Sequence, residues 1–307
     1  MCGNRIIYYS MEQIHREQED FQRLFYSWVS GLEGTRANCP SSGRLHDELV
    51  AAVKKYHNHQ WSTKGKIHNI IDVHTNCAND CVYCYMKSLK HRFHATDIED
   101  FTMGLSERAV AKRWRKATDA RRALIMFPSS HDIFPEFVEA YATVALAMIE
   151  AGHDVLVVTK PRVECIEYLA EQFSEHKDKV IFRLTITSDD PDVLALWEQR
   201  APKLNERLDC LRLLYGRGFL TSVSIEPYLT DPTPLLALID EFVNETIFIG
   251  EMSGLEQARS RGIDDGEIRR ISALYTKDCT LAVIRRHQDN PKIRWKTSVM
   301  KRAMKSR

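Results

Sequence analysis

From about residue 66 to 252 the chain alternates short β-branched apolar runs with longer amphipathic stretches, and this alternation constrains the fold most strongly. The runs are 69–74, 123–127, 154–159, 180–187, 220–225 and 246–250. Between them lie helix-like stretches such as 106–118, 136–151, 163–174, 203–216 and 234–243. A strand followed by a helix and another strand returns the chain to the same edge, so neighbouring strands run parallel. Gly152, Gly216 and Gly218 stand where helices should stop. Six such units predict an α/β chain folded as a partial (β/α)6 barrel, with working residues at the C-terminal ends of the strands.

The flanks read differently. Residues 1–65 hold two helix-like segments, 8–33 and 44–57, separated by a turn-rich stretch around Cys39 and Pro40, and predict a helical extension. Residues 66–252 form the barrel core. Residues 253–307 predict a C-terminal helical and basic extension, with a helix after Thr280 and an extended piece around 292–297. Net charge is only +1, but it is unevenly placed. Residues 285–307 carry nine Lys and Arg against Asp289, and residues 112–122 carry six against Asp119. Such stretches can track phosphates, with Trp114 and Trp295 available for stacking; the alternative is a solvated surface.

No apolar run approaches the ~20 residues of a membrane span, and no charged region followed by a long apolar stretch opens the chain. The expectation is a cytoplasmic protein without membrane partners. Of eight cysteines, Cys2, Cys39, Cys165, Cys210 and Cys279 are scattered, which suggests neither a disulfide framework nor a second metal cluster.

The other three stand together in Cys77-Ala-Asn-Asp-Cys81-Val-Tyr-Cys84-Tyr85. Thiolates at this spacing on a short loop can hold three irons of a cubane cluster. Most [4Fe–4S] clusters take a fourth cysteine, so three would leave one iron open to another ligand. A zinc site is the competing reading, with His74 as the fourth donor.

Further ordered motifs accompany the cysteine loop. They are Ser129-Ser130-His131-Asp132 after the second apolar run, Val157-Val158-Thr159-Lys160 after the third, and Arg183-Leu184-Thr185-Ile186-Thr187 in the fourth. Trp197-Glu198, Glu206-Arg207-Leu208 and Ile225-Glu226-Pro227 follow. Together, over residues 66–250, they resemble the spore photoproduct lyase-like branch of the radical S-adenosylmethionine enzymes. The resemblance implies a [4Fe–4S] cluster on Cys77, Cys81 and Cys84 as the catalytic centre, with S-adenosylmethionine on the open iron. It implies that Lys160 meets the cofactor carboxylate, that Thr185 also reaches the cofactor, and that Tyr83 and Tyr85 lie near the adenosyl group. Ser130, His131 and Glu226 fall at cofactor-site positions, His131 where the family has a serine.

One departure bears on the reaction. The lyase carries a hydrogen-donor cysteine three residues before the acidic residue of the second motif, and Ser129 stands there instead. An alcohol O–H is much stronger than a thiol S–H, so repair of thymine dimers by the lyase route is not expected. The resemblance implies reductive cleavage of S-adenosylmethionine to a 5′-deoxyadenosyl radical that takes hydrogen from substrate. A nucleic-acid base or modified thymidine in DNA is the favoured substrate, isomerised with return of the hydrogen. An external electron donor such as flavodoxin or ferredoxin would be required. The alternatives are a radical enzyme acting on a small metabolite or peptide, and a non-catalytic zinc module that binds nucleic acid.

Overall fold

In a computed structural model, the described residues are Arg16, Glu19, Arg23, Phe25, Tyr26, 67–69, 74–75, 77–86, 104–105, 124–128 and 130–305. Strands β1 (Ile67–Asn69), β4 (Leu124–Met126), β5 (Asp154–Thr159), β6 (Val180–Thr185), β7 (Leu220–Ile225), β8 (Ile247–Ile249) and β9 (Ile293–Trp295) form one sheet in that spatial order. Every pairing in it is parallel. Spatial order follows chain order, so the sheet grows in one direction without a switch point, as in a partial barrel. Two short strands, β2 (His74–Thr75) and β3 (Gly104–Leu105), pair antiparallel outside it.

The helices that follow β4 are α1 (Val138–Glu150), α2 (Val163–Gln172), α3 (Pro191–Trp197), α4 (Leu204–Gly216) and α5 (Pro232–Ile239). After β8 come α6 (Leu255–Arg259), α7 (Asp265–Leu274) and α8 (Lys277–His287), and α9 (Thr297–Met304) follows β9. No described helix is long and apolar enough to cross a membrane. Gly152 and Gly218 close α1 and α4 at φ of 90° and 78°, where a side chain would be strained. Gly216 lies within the last turn of α4 instead. Helix α5 begins two residues before the sequence expectation, because Asp231 caps Thr233 N at 2.9 Å and Pro232 suits the first turn.

Side chains alternate between the two faces of the sheet. On β6, Val180, Phe182 and Leu184 join the large core shared with the helices, while Ile181 packs with Leu124, Met126 and Leu156 in a separate inner cluster. Burial on both faces explains why these strands read as continuous apolar runs rather than alternating ones. Farther round the barrel the inner face turns polar. Arg183 donates through Nε to Ser222 Oγ at 3.0 Å and lies 4.1 Å from the Phe248 ring centroid.

Two sequence expectations change. The described ends of the run 69–74 belong to two ladders: Asn69 lies in β1 of the sheet, and His74 and Thr75 pair with β3. The extended piece near 292–297 is a seventh sheet strand, β9, paired with β8. The five described residues of the first 65 are helical, and this segment touches β9. Trp295 Nε1 donates to Tyr26 Oη at 2.9 Å, and Arg294 lies 3.6 Å from Glu19. The expected helix 106–118 and the rest of residues 1–65 lie outside the described residues.

Candidate active site

The cysteine loop is shaped by backbone contacts from distant parts of the chain. Within it, Cys84 N donates to Cys81 O at 3.1 Å, and Asp80 takes a φ of 52°. From outside, Val82 N donates to Trp197 O at 2.9 Å. Arg261, just before α7, donates to the carbonyls of Val82 and Cys84. The loop borders a cavity of about 520 Å³ at the C-terminal ends of the strands. All ten residues singled out from sequence line it: Cys77, Cys81, Cys84, Tyr83, Tyr85, Ser130, His131, Lys160, Thr185 and Glu226. Asp132, Ser224, Glu251 and Lys296 line it as well, and were not among the ten.

Asp132 joins three pieces of the wall. Its Oδ1 accepts from Lys160 N at 2.6 Å and Thr159 Oγ1 at 3.2 Å, which ties the β4 end to the β5 end. Its Oδ2 accepts from Asn79 Nδ2 at 2.7 Å, which ties both to the cysteine loop. Asn79 is fully buried, and its Oδ1 accepts from Arg162 at 2.7 Å. Lys160 Nζ stands 3.9 Å from Asp132 and 5.5 Å from the Tyr83 ring centroid. Burial opposes ionisation of Asp132, but Lys160 and the donated hydrogen bonds win and hold its pKa below the ordinary range.

A second unit lies behind the loop. Glu198 and Arg207 form a buried ion pair, and Glu198 also accepts from Tyr83 Oη and from Thr187 Oγ1 at 2.8 Å. Burial works against the Glu198 charge, yet Arg207 keeps its pKa low. Burial likewise opposes the charge on Lys160, but Cys81, Tyr83 and the two carboxylates raise its pKa well above the ordinary value. Burial pushes the Cys77 thiol upward and the Cys81 thiol to about 12. In the bare chain both are therefore neutral at pH 7, and a coordinating metal centre would reverse that.

On the opposite wall the C-terminal strand supplies Lys296, whose Nζ lies 3.0 Å from Glu226 Oε2. Several of the C-terminal cations are thus paired within the fold. Arg302 pairs with Glu251 at 3.1 Å, Arg286 with Asp231 at 2.8 Å and Lys292 with Asp240 at 3.2 Å. Trp295 is fully buried, so it cannot stack on a base. Trp114, the basic stretch 112–122, Ser129 and the His74 side chain lie outside the described residues. Cys165 and Cys210 are buried away from the cavity and Cys279 is exposed. Among the described residues, no three His, Cys, Asp or Glu side chains gather closely enough to hold a single ion.

No family model matches the sequence. The uncharacterized protein ORF301 of Acidianus two-tailed virus is 25% identical over 160 residues, covering 49% of this chain and 52% of that protein. The chain thus spans about half the length of that curated relative. Among solved structures, a variant of spore photoproduct lyase superposes with a TM-score of 0.48 at 14% identity, covering 74% of this chain and 75% of that one. SuiB of Streptococcus suis gives 0.47 at 11% identity, over 91% and 64%.

Proposed function

We propose that this chain is a radical S-adenosylmethionine enzyme, with Cys77, Cys81 and Cys84 as the cluster ligands. The observation that carries the reading is the gathering of three thiols, Lys160 and Thr185 around one cavity at the strand ends. The donor set fits the group: three soft thiolates suit iron and sulfide, and the cavity beside them has room for a ligand. When bound, the [4Fe–4S] cluster and S-adenosylmethionine supply one-electron cleavage of a sulfonium C–S bond and a hydrogen-abstracting radical. The chain's own residues bind, orient and exclude water. Lys160 offers a buried cation for the cofactor carboxylate, and Thr185 offers a hydroxyl from the end of β6. Ser130 and His131 border the same space, and Tyr85, half exposed, stands at the rim. Tyr83 is held by Glu198 and so fixes the loop.

Within that class we take the substrate to be a nucleic-acid base or base-derived group, isomerised with return of the abstracted hydrogen. The motif resemblance and the stretch 112–122 support it. The internal pairing of the C-terminal cations favours a second reading, a small metabolite or a peptide. Flavodoxin or ferredoxin would supply the electron. Anaerobic protein loaded with iron and sulfide should form 5′-deoxyadenosine from S-adenosylmethionine and dithionite. Deuterium from labelled DNA or nucleosides should then enter that product. A colourless zinc protein with no cleavage would defeat the proposal, while cleavage with transfer only from small metabolites or peptides would defeat the base reading.

A further inference from the structure

The cavity wall divides by strand. The cysteine loop, Asp132 and Lys160 build one side. Glu226, Glu251 and Lys296, just past the ends of β7, β8 and β9, build the other. The Lys296 side chain is 3% exposed and that of Glu226 35%, and both line the cavity. Gly250 lies between them. A Cβ there would stand 2.8 Å from Glu226 Cγ and 2.9 Å from Lys296 Cγ, so only a residue without a side chain lets the pair meet. The pair is therefore built into the fold, although a lysine buried this deeply is a poor source of stability.

The charges on this wall are already matched. Lys296 faces Glu226, and Glu251 faces Arg302. An ionic substrate group would have to break one of these pairs. A neutral group meets instead a donor and an acceptor side by side, 3.0 Å apart. We propose that Lys296 and Glu226 read a neutral group with a carbonyl beside an N–H, the amide or imide edge of a nucleobase. Lys296 donates to the carbonyl oxygen and Glu226 accepts from the ring N–H. The proposal rests on the reading of this cavity as the active site. Burial lowers the pKa of Lys296 to about 7, with Glu226 opposing and Arg183 adding to the fall, so the ammonium is readily tuned by whatever binds beside it. The Phe248 ring on β8 lies 5.5 Å from Lys296 Nζ.

The test is calorimetric titration of the anaerobic, cluster-loaded protein with S-adenosylmethionine present. The probes are thymidine and N3-methylthymidine, whose ring N–H is blocked. A site built to pair that N–H should bind the methylated probe about a hundredfold more weakly, because the methyl group offers Glu226 no hydrogen bond and collides with its oxygen. Lys296→Met and Glu226→Gln should each weaken thymidine binding about tenfold or more. Gly250→Ala should do so too, by parting the pair. Melting curves verify that the variants fold, and Glu226→Gln, nearly isosteric, serves if another does not. Equal affinity for the two probes, unchanged thymidine binding in a folded Glu226→Gln variant, or no thymidine binding by a wild type that cleaves S-adenosylmethionine each overturns this inference while the radical reading stands. A wild type with neither cluster nor cleavage overturns that reading, and this inference with it.

Discussion

Asp132→Asn changes one atom at the point where the cysteine loop, β4 and β5 are joined. Both oxygens of Asp132 accept from buried N–H groups, Lys160 N at 2.6 Å on one side and Asn79 Nδ2 at 2.7 Å on the other. An amide turned either way must aim its own N–H₂ at one of these donors. The substitution thus removes a hydrogen bond to a charged acceptor, about 1.5–3 kcal/mol, and strands a buried donor, about 1–3 kcal/mol more. It also leaves Lys160 without its 3.9 Å counter-charge. A total of about 2.5–6 kcal/mol should lower Tm by roughly 10 °C in a chain of this size. Circular dichroism melts of anaerobic protein measure it, with Asp178→Asn as the control because that side chain is 77% exposed. Iron bound per chain should fall as well, since Asn79 loses its anchor. A variant that melts within about 2 °C of wild type and binds iron normally would show that Asp132 does not hold the loop.

Other outcomes follow from the same geometry. Cys81→Ala should abolish iron binding and cofactor cleavage, whereas Cys279→Ala, altering an exposed residue on α8, should keep both; iron and sulfide analysis decides. Lys160→Ala should retain the cluster but weaken S-adenosylmethionine binding by roughly tenfold to a hundredfold, the worth of one charge-assisted bond, read by calorimetry. The Lys296 titration gives a pH test with a definite sign. Its folded pKa of about 7 lies below the ordinary lysine value, so the unfolded chain binds the extra proton between these limits. Wild-type stability should therefore rise relative to Lys296→Met from about pH 7 to about 10; a flat difference in denaturant midpoint across that range would refute the burial cost.

Much of the barrel was legible in the sequence, for a physical reason. Strands β5 and β7 coincide with their apolar runs, because both faces of the sheet are buried and β-branched residues recur along them. The run 69–74 failed because a short apolar stretch does not reveal where one strand ends and another ladder begins. Strand β9 was visible as extended chain, but its place in the sheet was not. Three helices intervene, and Arg294 and Lys296 read as part of an exposed basic stretch, phosphate-tracking or solvated, although both are buried on the polar part of the barrel's inner face. Charge counting cannot distinguish a rim from an interior. Of the ten cavity residues, the three cysteines were legible in their spacing, and the other seven came from motifs that resemble the radical enzymes. Asp132, although quoted in its motif, was missed as a joint because its partners Asn79 and Lys160 lie 53 and 28 residues away. Glu198 and Arg207 likewise showed as motif letters without revealing their hold on Tyr83.

The central claim is that three cysteines hold a cluster whose remaining iron takes S-adenosylmethionine beside Lys160. Electron paramagnetic resonance of dithionite-reduced, reconstituted protein, with and without S-adenosylmethionine, tests it directly. The reduced protein should show a [4Fe–4S] signal that shifts when the cofactor is added and that is absent in Cys77→Ala, Cys81→Ala and Cys84→Ala. A signal unchanged by the cofactor, or one that persists without any of the three cysteines, would contradict it.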